Sequence, residues 1–165
     1  MTAHQYVLGI DGGTEGIRVG IFTLDGTPVI FAAEPYTTNF PQPGWAEQDP
    51  RDWWNALGIA MRRALAESGI NKNDIVGLAA DTTCCSVVAL DAGMQPLRDA
   101  IIWMDVRAEA EAEAVLATGD PALGSIMVAR GRSPQNGCCQ RAYGVIAISP
   151  ISGTVRRSFA NIRIT

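Results

Sequence analysis

Between Leu8 and Arg18 the chain carries its most chemically capable residues: Ile10-Asp11-Gly12-Gly13-Thr14, followed by Glu15, Gly16 and Ile17. A short apolar strand runs into an aspartate, then a Gly-Gly-Thr turn, then a second strand. A carboxylate at a strand end can hold Mg²⁺, directly or through water. Glycines let backbone N–H groups close around phosphate oxygens, and a threonine hydroxyl adds a donor. The set suits the phosphates of ATP. It is not the Walker loop, because no Gly-Lys-Ser/Thr follows. The same residues also suit a plain Gly-rich hairpin turn with an exposed aspartate, and the motif alone leaves both readings open.

The elements that must position this turn follow from pattern. Tyr6–Asp11 reads as a strand, and the alternation of Ile17, Val19 and Ile21 reads as a second. Asp25-Gly26 signals a turn before a third strand at Pro28–Tyr36. These three form an antiparallel meander. The segment Asn39-Phe40-Pro41-Gln42-Pro43-Gly44-Trp45 is rich in turn residues. A helix then starts with Asp49 as N-cap, Pro50 in the first helical position and Asp52 favouring the positive end. Its expected apolar stripe is Trp54, Leu57, Met61, Ala64 and Leu65, and Gly69 is its expected stop. Ile75–Ala80 reads as a fourth strand ending at Asp81, and Ser86–Leu90 as another, before a turn at Asp91-Ala92-Gly93. Ala100–Trp103 is short and apolar, and Glu109–Leu116 reads as a second helix. Three strands, a helix, then further strand and helix imply a mixed α/β sheet. They exclude a Rossmann fold, which alternates strand and helix from the start.

Composition narrows the class. With 165 residues, 47% hydrophobic and 18% charged, the chain can bury one ordinary core. It has no apolar run of the roughly 18 residues that read as a membrane span. The start, Met1-Thr2-Ala3-His4-Gln5, lacks a basic region and an apolar signal core. The four cysteines lie in adjacent pairs, Cys84-Cys85 and Cys138-Cys139, matching neither a disulfide framework nor zinc-ligand spacing. The pattern reads as a cytoplasmic, reducing compartment, with Cys84 and Cys85 as small buried residues. His4 is the only histidine, which argues against Ser-His or Cys-His catalysis.

Four segments, in order, resemble the N-terminal part of the FGGY carbohydrate kinases. They are Ile10-Asp11-Gly12-Gly13-Thr14 with Arg18, Gln42-Pro43-Gly44-Trp45-Ala46-Glu47-Gln48-Asp49-Pro50, Gly77-Leu78-Ala79-Ala80-Asp81-Thr82-Thr83-Cys84-Cys85, and Ile102-Trp103-Met104-Asp105-Val106-Arg107-Ala108. The resemblance implies an α/β domain of the ribonuclease H-like fold shared by the actin and hexokinase superfamily, incomplete here, with three antiparallel strands first. It implies ATP-dependent phosphorylation of a sugar or polyol hydroxyl, with ATP and Mg²⁺ as cofactors. Asp11 would hold the metal, and Gly12, Gly13 and Thr14 would line the phosphates. Arg18 would neutralise phosphate charge or support the turn. Asp81, Thr82, Thr83, Trp103, Asp105 and Arg107 would meet the substrate, with Asp81 and Asp105 on its hydroxyls.

Plainer roles stay open for these residues. They are a local turn for Asp81, a helix-end salt bridge for Arg107, and loop packing for Trp45 beside a solvated Glu47. Trp53 and Trp54 read as core and rim of the helix rather than as sugar platforms. Asp81-Thr82-Thr83-Cys84-Cys85 looks like the Asp-x-Thr-x-Cys segment of ribulokinases, and Trp103-Met104-Asp105 with Arg107-Ala108 looks like the ribulose and ribitol kinase group. Xylulokinases carry a Gln and a His near the first of these places, and glycerol kinases a Gln-Arg-Glu. The chain has neither, so a pentulose such as ribulose is the expected substrate.

The resemblance covers roughly residues 5–123, and the expected boundary divides 1–123 from 124–165. All 17 acidic residues and seven of the 13 basic ones precede Gly124; six arginines and no acid follow it. That tail reads as out-of-frame translation beginning near residues 123–125. One synonymous coding of Ser133–Gly144, read from its third base, gives Ser-Ala-Glu-Trp-Met-Leu-Pro-Lys-Gly-Leu-Trp, which resembles a later helix of the family. The family's catalytic aspartate and adenine site lie in parts not represented. The isolated chain is therefore expected to be inactive, with unpaired strand edges and exposed apolar faces that make it poorly soluble. Two other readings remain. One is a non-enzymatic nucleotide- or sugar-binding module of the same fold. The other, ranked last, is a nucleic-acid arm formed by the Arg-rich tail. Neither a membrane nor an oligomeric state is indicated.

Overall fold

The computed structural model describes residues 5–120, in two units. The first holds residues up to 38 and 48–84; the second holds 39–47 and the residues from 85 onward.

The first unit is a sheet with one helix on it. Strand β1 (Tyr6–Gly12) pairs antiparallel with β2 (Gly16–Thr23), which pairs antiparallel with β3 (Pro28–Pro35). The chain then runs through helix α1 (Pro50–Ser68) and a 3-10 turn (Lys72–Asp74) into β5 (Ile75–Thr82), which lies parallel to β1. The sheet order is β3-β2-β1-β5. A parallel neighbour needs a crossover, and α1 provides it.

Helix α1 is bounded by local chemistry. The Asp49 carboxylate accepts from Arg51 N, Pro50 stands at the first position, and Gly69 closes the end at φ +67° with its N–H donated to Leu65 O. The face it buries shares Leu57, Met61, Ala64 and Leu65 with the expected stripe but is centred on alanines and excludes Trp54. Ala56, Ala60 and Ala64, one helical turn apart, lie against Leu8, Ile17, Val19, Ile21 and Ala32 of the sheet. Leu57, Met61 and Leu65 flank them, while Trp54 points to solvent and is 76% exposed. Small side chains let the helix approach the sheet closely, so the alanines form the seam and the large residues its borders.

Strand β5 is sparsely covered. Val76 is 53% and Leu78 60% exposed, and among the described residues no strand pairs on its outer side. On β2 and β3, Phe22 and Phe31 meet edge to face at 5.5 Å, and Phe31 remains exposed.

Among its described residues the second unit is mostly loop. A short strand β4 (Glu47–Gln48) pairs with β6 (Ala100–Ile101), and helix α2 (Glu109–Leu116) follows. The strand expected at Ser86–Leu90 is reduced to two isolated bridges, Val87 with Ile101 and Leu90 with Pro96. The Asp91 side chain explains this. Its Oδ1 accepts from Gly93 N and Gln95 N and folds the backbone into a tight turn in place of a longer ladder. The short apolar segment Ala100–Trp103 contributes the two-residue strand β6. Among the described residues no helix is long and apolar enough to cross a membrane. The reading of residues 124–165 as out of frame lies outside the described residues.

Met94, at the tip of the Asp91 turn, has φ +62° and is exposed. A left-handed backbone costs an ordinary side chain roughly 1–2 kcal/mol, and glycine's extra chain entropy takes back part of that. Met94→Gly is therefore expected to raise stability by about 0.5–1 kcal/mol, read as a higher melting temperature. An unchanged or lower value would count against the strain.

Candidate functional site

The first unit brings eight of the expected site residues together at one end of β1 and β5. In the parallel register Asp11 lies beside Asp81 and Gly12 beside Thr82. Two carboxylates thus stand on neighbouring strand ends, and both are exposed. The C-terminal ends of parallel strands are where α/β sheets place ligands. Thr83 N donates to Gly12 O at 3.0 Å, tying the third motif to the first. A Cβ on Gly12 would stand 3.2 Å from Thr82 Cβ, so the close approach of these strands favours glycine there. Asp81 Oδ1 accepts from Thr82 N at 2.9 Å, the local turn role that the sequence left open.

Arg18 faces Asp11 across the hairpin, and its Nη1 donates to Asp11 Oδ2 at 2.7 Å. Both side chains are more than half exposed. Such a pair contributes little stability, of order 0–1 kcal/mol, so its charges remain available for an incoming anion and cation. The turn closes through Gly13 N donating to Gly16 O at 3.0 Å. Gly16 is required by β3, because a Cβ there would lie 2.6 Å from Glu34 O.

Behind the turn stand residues that the sequence reading did not single out. The Tyr36 hydroxyl donates to Gly13 O. Gln48, buried, donates from Nε2 to Thr14 O at 2.8 Å and to Thr38 Oγ1 at 2.6 Å, and accepts from Trp53 Nε1 at 2.8 Å. Burial pushes the Tyr36 phenol up from its ordinary value, the Asp11 charge adds to this, and Arg18 opposes it. Tyr36 therefore stays a donor. The position of Gln48 beside the Asp49-Pro50 helix start was the available signal, but its partners are backbone carbonyls that no residue pattern displays.

The second unit holds Trp103, Asp105 and Arg107, expected to meet the substrate, and it buries the side chains of the two charged residues. Asp105 is 0% exposed. Its Oδ2 accepts from Ala46 N at 2.7 Å and from Arg107 Nη2 at 2.6 Å, and its Oδ1 accepts from Arg107 N at 3.0 Å. The Arg107 side chain is 3% exposed, with Nη1 2.7 Å from Glu47 Oε1 in an ion pair, and it stacks 3.8 Å over the Trp45 ring. Glu47 is buried, not solvated, and also accepts from Arg98. Asp105 and Arg107 thus use their charges on the Gly44–Glu47 loop rather than presenting them to a solute. A strand-end acid reads alike in sequence whether it faces water or a buried backbone N–H. Gly44 lies at φ +80°, and a Cβ on it would meet Val106 Cγ2 at 2.8 Å, so the loop seats closely here as well. Trp103 keeps 39% of its surface exposed. Cys85 is buried as expected, but Cys84 is exposed.

Two outcomes follow. Asp105→Asn leaves Arg107 buried without its main counter-charge, and is expected to cost about 3–5 kcal/mol by denaturant unfolding. A loss below 1 kcal/mol would contradict a buried pair of this kind. For Tyr36, a raised folded pKa means that the folded state holds its proton more tightly. Its stabilisation is fully present below the unfolded value of 10.0 and is lost as pH rises above it. Unfolding measured from pH 8 to 11 should fall more steeply for the wild type than for Tyr36→Phe, and equal slopes would refute the assignment.

Comparison with known proteins places these residues in context. Residues 6–123 match the N-terminal domain of the FGGY family of carbohydrate kinases. The chain is 34% identical over 116 residues to a glycerol kinase of Ralstonia pickettii (strain 12J), covering 70% of this chain and 23% of that protein. It is also similar to the crystal structure of a xyloylose kinase from Brucella ovis, with 32% identity and a TM-score of 0.69, covering 74% of this chain and 26% of that one. A xylulose kinase from Rhodospirillum rubrum matches with 29% identity and a TM-score of 0.66, covering 72% and 24%. The chain spans about a quarter of the length of the curated relatives it matches. The strand order β3-β2-β1-β5 and its helix are the actin and hexokinase-like fold of these sugar kinases. By the match over residues 6–123, the chain belongs to the FGGY family of carbohydrate kinases, as part of its N-terminal domain.

Proposed function

We propose that this chain supplies the nucleotide-phosphate turn and part of the substrate site of an ATP-dependent kinase for a sugar or polyol hydroxyl. The observation that carries this reading is the register of β1 and β5. It sets Asp11 beside Asp81 at the C-terminal ends of parallel strands, where α/β sheets tend to place ligands, next to the Gly12-Gly13-Thr14 turn.

Phosphoryl transfer needs positioning and charge neutralisation more than covalent help. In this reading Arg18 swings from Asp11 toward phosphate oxygens, and the turn's backbone N–H groups hold them. Asp81 accepts from a substrate hydroxyl and fixes its angle, a contact whose loss is costly in a buried site. A Mg²⁺ ion fits the exposed oxygens of Asp11. Among the described residues no group of three or more His, Cys, Asp or Glu could hold a metal, so the remaining ligands would be phosphate and water. When bound, the ion shields charge on the transferring phosphate.

The substrate in this reading is a pentulose such as ribulose. Asp81-Thr82-Thr83-Cys84-Cys85 supports it, because that segment lacks the Gln-Arg-Glu expected of a glycerol kinase and the Gln and His expected of a xylulokinase. The reading includes a cytoplasmic location, where ATP is at hand. It also includes an isolated chain that binds without turnover.

Titration calorimetry of the 165-residue chain with Mg·ATP tests the turn. Asp11→Asn is expected to weaken binding at least tenfold, about 1.4 kcal/mol or more. No binding by the wild type, or equal binding by the variant, would overturn it. An ADP-release assay with ribulose, ribitol, xylulose and glycerol is expected to stay at background for this chain. Its full-length homologous enzyme should prefer ribulose, and a preference for glycerol or xylulose would reject the pentulose.

A further inference from the structure

We propose that Arg18, seated across Gly13, is a latch on Asp11 that holds back a free divalent cation and yields when phosphate arrives. The proposal rests on the phosphate-binding reading of the turn and deepens it by naming what occupies the Asp11 carboxylate before nucleotide enters.

The hairpin register sets the latch. Asp11 and Arg18 are directly opposed in the ladder of β1 and β2, so their side chains leave the same face of the sheet. Arg18 Nη1 donates to Asp11 Oδ2 at 2.7 Å. The guanidinium passes over Gly13, where a Cβ would stand 3.2 Å from Arg18 Nη1 and 3.3 Å from Gly16 O. Gly13 is not among the glycines with positive φ. The space above it, rather than an unusual backbone, is what lets Arg18 reach Asp11.

The backbone under the latch is fixed. Gly13 N donates to Gly16 O at 3.0 Å, Tyr36 N donates to Glu15 O at 3.2 Å, and the Tyr36 hydroxyl donates to Gly13 O. The Arg18 side chain is long and 64% exposed. It can therefore leave Asp11 by changing rotamer while the turn stays still.

Competition follows from charge. A carboxylate holds a divalent cation through its oxygens, and at Asp11 one of the two already has a cationic partner. A guanidinium keeps its proton in a protein, so it stays charged and leaves for another acceptor. Phosphate is such an acceptor, with oxygens that match the guanidinium fork. An exposed pair of this kind lowers the affinity of a competing cation by about two- to fivefold, a grip weak enough to yield. A cation alone meets an occupied carboxylate; one that comes with phosphate meets a released one. The coupling is reciprocal, so the cation also favours the handover of Arg18 to phosphate.

The experiment uses the full 165-residue chain with Mn²⁺ alone and with Mg·ATP as probes. Mn²⁺ suits oxygen ligands and is read by paramagnetic broadening of the Asp11 and Gly12 amides; Mg·ATP is read by titration calorimetry. In Arg18→Gln, Mn²⁺ is expected to bind about two- to fivefold more tightly, and Mg·ATP about tenfold or more weakly. Gly13→Ala keeps every charge and is expected to tighten Mn²⁺ binding too, by pushing the guanidinium off its seat. Lys72→Gln removes a positive charge before the far end of β5 and is expected to change neither reading. The Gly69 amide, bonded to Leu65 O at the end of α1, should stay protected in every variant and report an intact fold.

Unchanged Mn²⁺ affinity in Arg18→Gln would overturn the latch. An equal gain in Lys72→Gln would do so as well, by making the effect one of net charge, and so would loss of Gly69 protection in Arg18→Gln, by showing that the pair holds the fold. Unchanged Mn²⁺ affinity in Gly13→Ala would strike Gly13 from the latch. Unchanged Mg·ATP affinity in Arg18→Gln would overturn the release to phosphate. Tighter Mn²⁺ binding in Arg18→Gln beside a wild type that binds no Mg·ATP would support the hold on Asp11, while overturning the phosphate reading and the release with it.

Discussion

The candidate site depends on one pairing, the parallel contact of β1 with β5. Strand β1 is hydrogen-bonded on both sides, to β2 in the hairpin and to β5 after the crossover. The first neighbour places Arg18 opposite Asp11; the second places Asp81 beside it. A slip of one residue in either ladder would send the side chain to the other face of the sheet. The buried row of Leu8, Ile17, Val19 and Ile21 against the alanines of α1 guards against that slip. Apolar packing on one face thus sets the address of charged groups at the strand ends.

A different economy governs the second unit. With two short strands and an eight-residue helix among its described residues, it has little ladder there to order its loops. Asp105 and Arg107 do this work from inside: Asp105 accepts from the Ala46 backbone and from Arg107, whose guanidinium pairs with Glu47 and stacks on Trp45. Buried ions are a costly way to hold a loop, and they are kept only when their hydrogen bonds are well satisfied. The loop from Gly44 to Glu47 is specified by charge and fit rather than by regular structure.

Legibility in the sequence followed the range of the interactions. The start and stop of α1 could be read because Asp49, Pro50 and Gly69 act on their own neighbours. The β1–β2–β3 meander could be read because alternation and the Asp25-Gly26 turn are local. The expected stripe of α1 held Ala64 and its flanking Leu57, Met61 and Leu65 but not Ala56 and Ala60, because large apolar residues look more like a core than alanines do, yet the sheet admits the smaller set. Asp11 and Asp81 were each placed at a strand end, but nothing local says that the ends are neighbours. Tyr36 and Gln48 were invisible for a related reason: they act on carbonyl oxygens, which every residue has.

The same β1–β5 contact has a consequence for how the protein emerges from a ribosome. Asp11 and Asp81 pair across about 70 residues of chain, while β1, β2 and β3 are joined by short turns. Long-range parallel pairing closes slowly, and local hairpins form first. During synthesis the meander is therefore complete while β5 is still unmade, and the inner edge of β1 waits open until α1 and the following turn have been translated. The order of birth runs from hairpin to helix to site, so the two carboxylates meet only after most of the described chain exists.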